Sequence, residues 1–459
     1  MDHPGGALEN PILSPRCPWS DLGVLRVLAV RKFGSGLAGP HDERGRGSAS
    51  AKHSFPTLAI LAIKVATVRK PPEGDGMWIV WLISGGGFLV WLVWGLGLWR
   101  YSVQALRLDR APADGAEPLP RLSVVVPARN EAETVEAAMR TLLATDYPDL
   151  EIIAVDDRSS DGTGAILDWL AAEDARLRVA HLRELPLGWL GKNHALHFGS
   201  QRAYGAYILF TDADIHFHPT ALRRAVRHAM ARDVDHLVLL PEMILDGFWE
   251  TLAVTFFSVM FLVKVRPAKV RDPRSPAYVG VGAFNLVRAE AYRRAGGHAS
   301  LPMEVVDDIK LGKRMKMSGG RQECGLSGGL VRVRWAAGLR GVITGLEKNA
   351  FASLGFSVLS VLAGVVCLTP MATWPVIGLF VGPWVTRLLC AATLACMVWK
   401  AGMARPAPHI SPLYGLGFPV AALLFGYAIV RSMLSTYRQG GVVWRGTFYP
   451  LAELRKGVV

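Results

Sequence analysis

From Met77 to Trp99 the chain reads MWIVWLISGGGFLVWLVWGLGLW, 23 residues without a charge. As a helix rising about 1.5 Å per residue, this run reaches about 30 Å or slightly more, enough to cross a bilayer once. Trp78, Trp81, Trp94 and Trp99 supply interfacial anchors near both ends. Arg100 and Arg107 follow, and positive charge just past a crossing argues that the residues beyond it are cytoplasmic.

A second apolar region, 356–434, divides into candidate spans Phe356–Trp374, Ile377–Trp399 and Leu413–Met433, broken by Pro370, Pro375, Pro383 and Pro419. Three crossings would put the basic tail, 435–459, opposite the central domain, whereas the positive-inside rule prefers it in the cytoplasm. One segment is therefore expected to be re-entrant or interfacial, and the sequence leaves open which. Composition agrees with a membrane protein. Of the 459 residues 51% are hydrophobic and only 19% charged, against about 25% charged in soluble domains. A fully soluble or a disordered chain is thereby excluded. The net charge of +13 suits anionic partners, lipid first. No zinc, RNP-like or helix-turn-helix signature supports a nucleic-acid partner.

The five cysteines, Cys17, Cys324, Cys367, Cys390 and Cys396, form no CxxC and are read as small buried hydrophobes. Residues 1–76 are rich in Gly, Pro, Arg and Ser, and their one apolar patch, Leu58–Val68, is too short to span. Met77 is expected to be the natural start and 1–76 a mis-called extension; the alternative is a real disordered tail.

Residues 120–350 read as an α/β domain. Short β-branched runs (122–128, 151–157, 176–182, 206–214 and 235–241) alternate with amphipathic stretches such as Ala132–Ala144 and Gly164–Ala172. That rhythm predicts a mainly parallel sheet covered by helices. Phe248–Val265 is strongly apolar but holds Glu250. It is read as an interfacial helix, with a buried core helix as the alternative.

Polar clusters fall where open α/β sheets bind ligands, at the carboxyl ends of strands. VVVPARNE ends one strand with Arg129, Asn130 and Glu131. IIAVDDRSSDGTG ends another with Asp156 and Asp157, acids that are costly after an apolar run unless used. GWLGKNHAL offers Lys192 at a helix start, suited to a diphosphate. In ILFTDADIHFHP, Asp212 and Asp214 bracket Ala213; facing one point, they suit a hard divalent cation, Mg²⁺ or Mn²⁺. The small residues of AYVGVGAF allow close approach to the backbone. Asp307 and Asp308 open a helix and include a plausible general base.

In order and spacing, VVVPARNE, VDDRSSDGT, GKNHAL, TDAD, GVGAFNLVRAEAYRRAGG and VVDDIKLGKRMKMSG resemble the family 2 glycosyltransferases of GT-A fold. WRGTFY (444–449) and the flanking spans look like the integral-membrane, non-processive branch. The resemblance implies a nucleotide-diphospho-sugar transferase domain that needs a divalent cation and inverts the anomeric centre. It implies that Ala128, Glu131 and Asp157 hold the nucleoside, with Asp156 a weaker contact. Lys192 would approach nucleotide or phosphate, Asp212 ribose or metal-bound water, and Asp214 the metal. Asp308 matches the base, and Asp307 stands where the family has Glu. The QxxRW of processive synthases is absent, since Val331-Arg332-Val333-Arg334-Trp335 lacks the Gln. Lys348, in LEKNAFA, is a candidate contact for lipid headgroups or diphosphate.

The expected protein is an inner-membrane enzyme with a cytoplasmic catalytic domain, moving one sugar from a nucleotide sugar to a lipid or isoprenoid acceptor. The rival readings are a processive polysaccharide synthase and a membrane-anchored binding protein with a degenerate transferase domain.

Overall fold

The consecutive valines of Leu122–Ala128 and the apolar run Leu150–Asp157 make strands β2 and β3, both buried almost throughout. Strands with both faces covered read as such continuous runs. The computed structural model describes residues 77–457; the expectations for 1–76 and Cys17 lie outside the described residues. In chain order the remaining strands are β1 (Leu106–Arg107), β4 (Leu177–Leu182), β5 (Tyr207–Phe210), β6 (Ile215–Phe217), β7 (His236–Leu240), β8 (Glu242–Met243), β9 (Asn285–Arg288), β10 (Gln322–Leu326), β11 (Val331–Val333), β12 (Gly441–Trp444) and β13 (Thr447–Pro450).

The main sheet has eight strands in the order β1-β10-β7-β9-β5-β2-β3-β4. All pairings are parallel except those of β9, which runs against β5 and β7. A three-stranded sheet, β6-β11-β8, stands beside it.

Helices α1 (Met77–Gln104), α2 (Val135–Leu143), α3 (Thr163–Glu173), α4 (Gly191–Ser200), α5 (Ala221–Ala231), α6 (Phe248–Val265), α7 (Ala289–Arg294) and α8 (Asp307–Met317) precede four later ones: α9 (Gly338–Ser353), α10 (Val358–Val381), α11 (Trp384–Met403) and α12 (Phe418–Gln439). A short α13 (Leu451–Lys456) closes the described chain. Core side chains such as Leu122, Val124, Ile152, Leu209 and Phe217 pack the sheet against its helices.

Among the described residues, five helices are long and apolar enough to cross a membrane: α1, Phe248–Lys269, α10, α11 and Pro412–Gln439. The sequence placed a break near Pro375, but Pro370 and Pro375 both lie inside α10, and the chain breaks at Gly382–Pro383 instead. Pro375 has no N–H for the carbonyl four residues back; the Trp91 indole of α1 donates to that Met371 oxygen at 3.2 Å. Neighbouring helices re-satisfy such freed groups, so membrane helices tolerate proline. Lys400 of α11 is fully buried, its ammonium 3.5 Å from the Trp91 ring centroid.

The segments before and after α12 both meet the α/β domain. On the entry side, the Pro406 carbonyl accepts the Met243 amide of β8 at 2.8 Å. On the exit side, β12 and β13 form an antiparallel hairpin. Its turn residue Arg445 donates to the Asn130 carbonyl at 3.1 Å. Arg445 and Gly446 have φ of 48° and 77°, the positive values of a two-residue turn that matches strand twist.

Candidate active site

A cavity of about 640 Å³ opens at the carboxyl ends of β2, β3 and β5. Ala128, Glu131, Asp157, Lys192, Asp212, Asp214, Asp307 and Asp308 all line it. Successive strand residues face opposite sides, and this decides the fate of the Asp156–Asp157 pair. Asp157 faces the cavity, gripped by Arg158 at 2.7 and 3.0 Å and by Arg129 at 3.4 Å. Asp156 turns away, 2.9 Å from His181 Nδ1, and accepts from the Ser159 amide at 3.2 Å. His181 is held in turn by Asp168 at 2.9 Å. Asp156, expected as a weak nucleotide contact, thus braces β3 against β4 and does not line the cavity.

The two nucleotide-side loops are tied together. The Glu131 amide donates to Thr163 Oγ1 at 2.8 Å, the Asn130 amide to Ser159 Oγ at 3.1 Å, and the Ser160 amide to Asn130 Oδ1 at 2.8 Å. Asn130 and Arg158 carry φ of 52° and 56°. Left-handed backbone at non-glycine residues is costly and concentrates at functional sites.

Asp212 and Asp214 occupy the bend between β5 and β6 rather than an extended strand. Lys192 Nζ is 2.7 Å from Asp212 and 3.7 Å from Asp307, so it links the first acid pair to the second. Burial alone would lower its pKa, but Asp212, Asp307 and Asp308 outweigh that and hold the ammonium above its ordinary value. Burial, then Asp212 and Glu131, pushes the Asp214 carboxyl up to about 7. Among the described residues no three His, Cys, Asp or Glu side chains form a preformed metal cage.

Asp308 is fixed by backbone donors. Its Oδ2 accepts the Gly282 amide and its Oδ1 the Ile309 amide, each at 2.8 Å. Burial raises the pKa of Asp307 and of Asp308. The small residues of 279–282 make room for protein groups as well. A methyl on Gly280 would overlap the Asp308 carbonyl, and one on Gly282 would overlap the Asp212 carboxylate. The glycines thus let protein groups approach the loop closely, and Gly280 and Gly282 also line the cavity.

Sequence reasoning missed the contribution of the C-terminal hairpin as residues. Trp444, Arg445 and Tyr449 line the cavity. Arg445 pairs with Glu131, and the Gly191 amide donates to the Tyr449 hydroxyl at 3.2 Å. The only signal was WRGTFY, and no local pattern says what a hairpin more than 300 positions downstream will touch. The cavity also continues between apolar residues of α6, α9 and α12: Phe257, Phe261, Leu346, Phe425 and Ile429. Trp335 stacks on Phe257 with centroids 4.7 Å apart.

Residues 123–296 match the model described as Glycosyl transferase family 2. The 4,4'-diaponeurosporenoate glycosyltransferase of Staphylococcus aureus (strain USA300) is 21% identical over 339 residues, covering 72% of this chain and 89% of that protein. Its namesake in strain MRSA252 is 22% identical over 344 residues, with the same coverage. Among solved structures, the mannosyltransferase PcManGT from Pyrobaculum calidifontis, in complex with GDP-Man and Mn²⁺, aligns with a TM-score of 0.49 at 20% identity, covering 78% of this chain and 99% of that one. Residues 123–296 thus carry a likeness to the family 2 glycosyltransferases, within a mainly parallel sheet that apolar helices flank.

Proposed function

We propose that this enzyme transfers one sugar, with inversion, from a nucleotide-diphosphate sugar to a hydroxyl of a lipid-type acceptor at a membrane surface. One observation carries the reading: a single cavity is lined by Asp157, Asp212, Asp214 and Asp308 and also by Phe257, Phe261, Leu346 and Phe425. A polar donor and an apolar acceptor thus share one space. The S. aureus relatives, whose name refers to 4,4'-diaponeurosporenoate, point the same way.

A divalent cation fits the acids present. Asp214 and Asp212 would hold it; a hard cation of this kind uses one or two carboxylates and takes its other ligands from phosphate and water. Burial, and after it Asp212 and Glu131, push the Asp214 carboxyl up, and a cation would relieve the crowding of negative charge among these acids. When bound, the ion neutralises charge on the departing diphosphate.

The protein's own groups do the rest. Asp308, its carboxylate aimed by the Gly282 and Ile309 amides, takes the proton of the acceptor hydroxyl. The freed oxygen attacks the anomeric carbon from the face opposite the nucleotide, and the bond to the diphosphate breaks. Lys192 keeps Asp212 and Asp307 apart in charge and together in space. Ala128, Glu131 and Asp157 hold the nucleoside.

The catalytic domain lies on the cytoplasmic face of the inner membrane. α1, α10 and α11 cross, while α6 and α12 lie in the interface, a reading supported by the contacts that the segments before and after α12 make with the domain.

The test is Asp308→Asn in membranes supplied with UDP-, GDP- and dTDP-sugars, Mg²⁺ or Mn²⁺ and an extracted lipid acceptor. Transfer is expected from one donor class and to drop about 10²–10⁴-fold in the variant. Chelation should abolish it and added cation restore it. Unchanged transfer by the variant removes Asp308 from the base role.

A further inference from the structure

Lys348 of α9 lines the cavity, its ammonium 5.3 Å from the centroid of the Trp444 ring. Among the described residues, no carboxylate stands within ion-pair distance of it. The Trp444 indole N–H, also at the cavity wall, is buried without a hydrogen-bond partner. Arg445 is next in the chain and reaches Glu131 and the Asn130 carbonyl on the nucleotide loop. Burial, then Arg445 and Lys192, pushes the Lys348 ammonium's pKa down against the opposing pull of Asp212 and Glu131, so three cations and two acids share one neighbourhood.

A largely buried cation without a close ion-pair partner is costly. Lys348 is such a cation; with the exposed Arg445, paired to Glu131, and an unused N–H donor beside it, it defines a place for a multiply charged anion. Neither cation belongs to residues 123–296, where the family model matches. The position over Glu131, near Lys192, is the donor end of the cavity rather than its apolar end.

We propose that Lys348, Arg445 and the Trp444 indole N–H form the binding site for the diphosphate of the nucleotide donor, and that the β12–β13 hairpin is a strap closing this site. Arg445 exchanges Glu131 for a phosphate oxygen as donor enters. The assignment rests on the donor reading above.

The full-length enzyme in micelles, with Mg²⁺, is titrated with UDP, GDP and dTDP and with their parent nucleosides, as wild type, Lys348→Met and Arg445→Ala. The diphosphate that binds wild type is expected to lose roughly tenfold or more in each variant, with nucleoside affinity unchanged. Equal diphosphate affinity overturns the proposal. An equal loss for nucleoside and diphosphate also overturns it, since that marks a merely structural hairpin. A loss that appears instead in binding to phosphatidylglycerol vesicles overturns it in favour of a lipid headgroup. Failure of the wild type to bind any of the diphosphates overturns the donor reading itself. If a variant does not fold, Lys348→Arg and Arg445→Lys carry the test and are expected to weaken the diphosphate less, in proportion to the charge retained.

Discussion

Asp307 and Asp308 are neighbours in sequence but are held differently. Asp307 is buried against Lys192, whereas Asp308 is aimed by two backbone amides. Only the second combines fixed direction with freedom from a lysine within ion-pair distance, which is why we propose it as the base. A pH profile checks this. Burial raises the Asp308 carboxyl, and a base works only when deprotonated. Activity is therefore fully present above the raised pKa and lost as pH falls through it. The acid limb of kcat/KM is expected above the ordinary carboxylate value of about 4, and a limb at or below that value excludes Asp308. The acids themselves were legible in the sequence, as an apolar strand does not end in carboxylates without use. The turning of Asp156 towards His181 follows from strand alternation, but which face carries the cavity is set by the neighbouring elements.

At the scale of elements, β2, β3, β4 and α6 could be read from apolar runs and their breaks, and Phe248–Val265 is a helix with the anticipated bounds. Glu250, anomalous in that apolar run, has a reason visible only in three dimensions: it is buried and accepts the Gly338 amide at the start of α9 at 2.6 Å. Glu250→Leu would strand that amide and should cost about 1–3 kcal/mol, measured as a lowered unfolding midpoint in micelles. The contact of loop 279–282 with α8 gives a second expectation. Gly280→Ala should displace Asp308 and lower turnover by at least about tenfold, while nucleoside binding, which rests on the opposite loops, stays the same. Unaltered turnover would show that the loop does not set the position of Asp308.

At the scale of the whole molecule, topology is a question of parity. The positive-inside rule asked for the basic tail on the domain's side, and three crossings after the domain would deny it. The contacts at Pro406 and Arg445 put the segments before and after α12 beside the domain, and on the proposed topology α10 and α11 form an out-and-back pair. In a cysteine-free background, a cysteine placed at Gly382 is expected to react with an impermeant thiol reagent from the periplasmic face. Cysteines at Ser411 and Arg438 should react only after the inner membrane is opened. Labelling of Arg438→Cys from the periplasm would make α12 a crossing.

The sequence by itself determined the chemistry and the solvent. Uncharged runs of bilayer length and acids at strand ends are local patterns, and each carries its energetic reason in a few adjacent residues. Only the tertiary structure decided which acid faces the cavity, that the prolines stay within one helix, and that Trp444, Arg445 and Tyr449 roof a site whose loops lie some 300 residues earlier. Those outcomes depend on contacts between distant segments, whose pairing no spacing along the chain encodes.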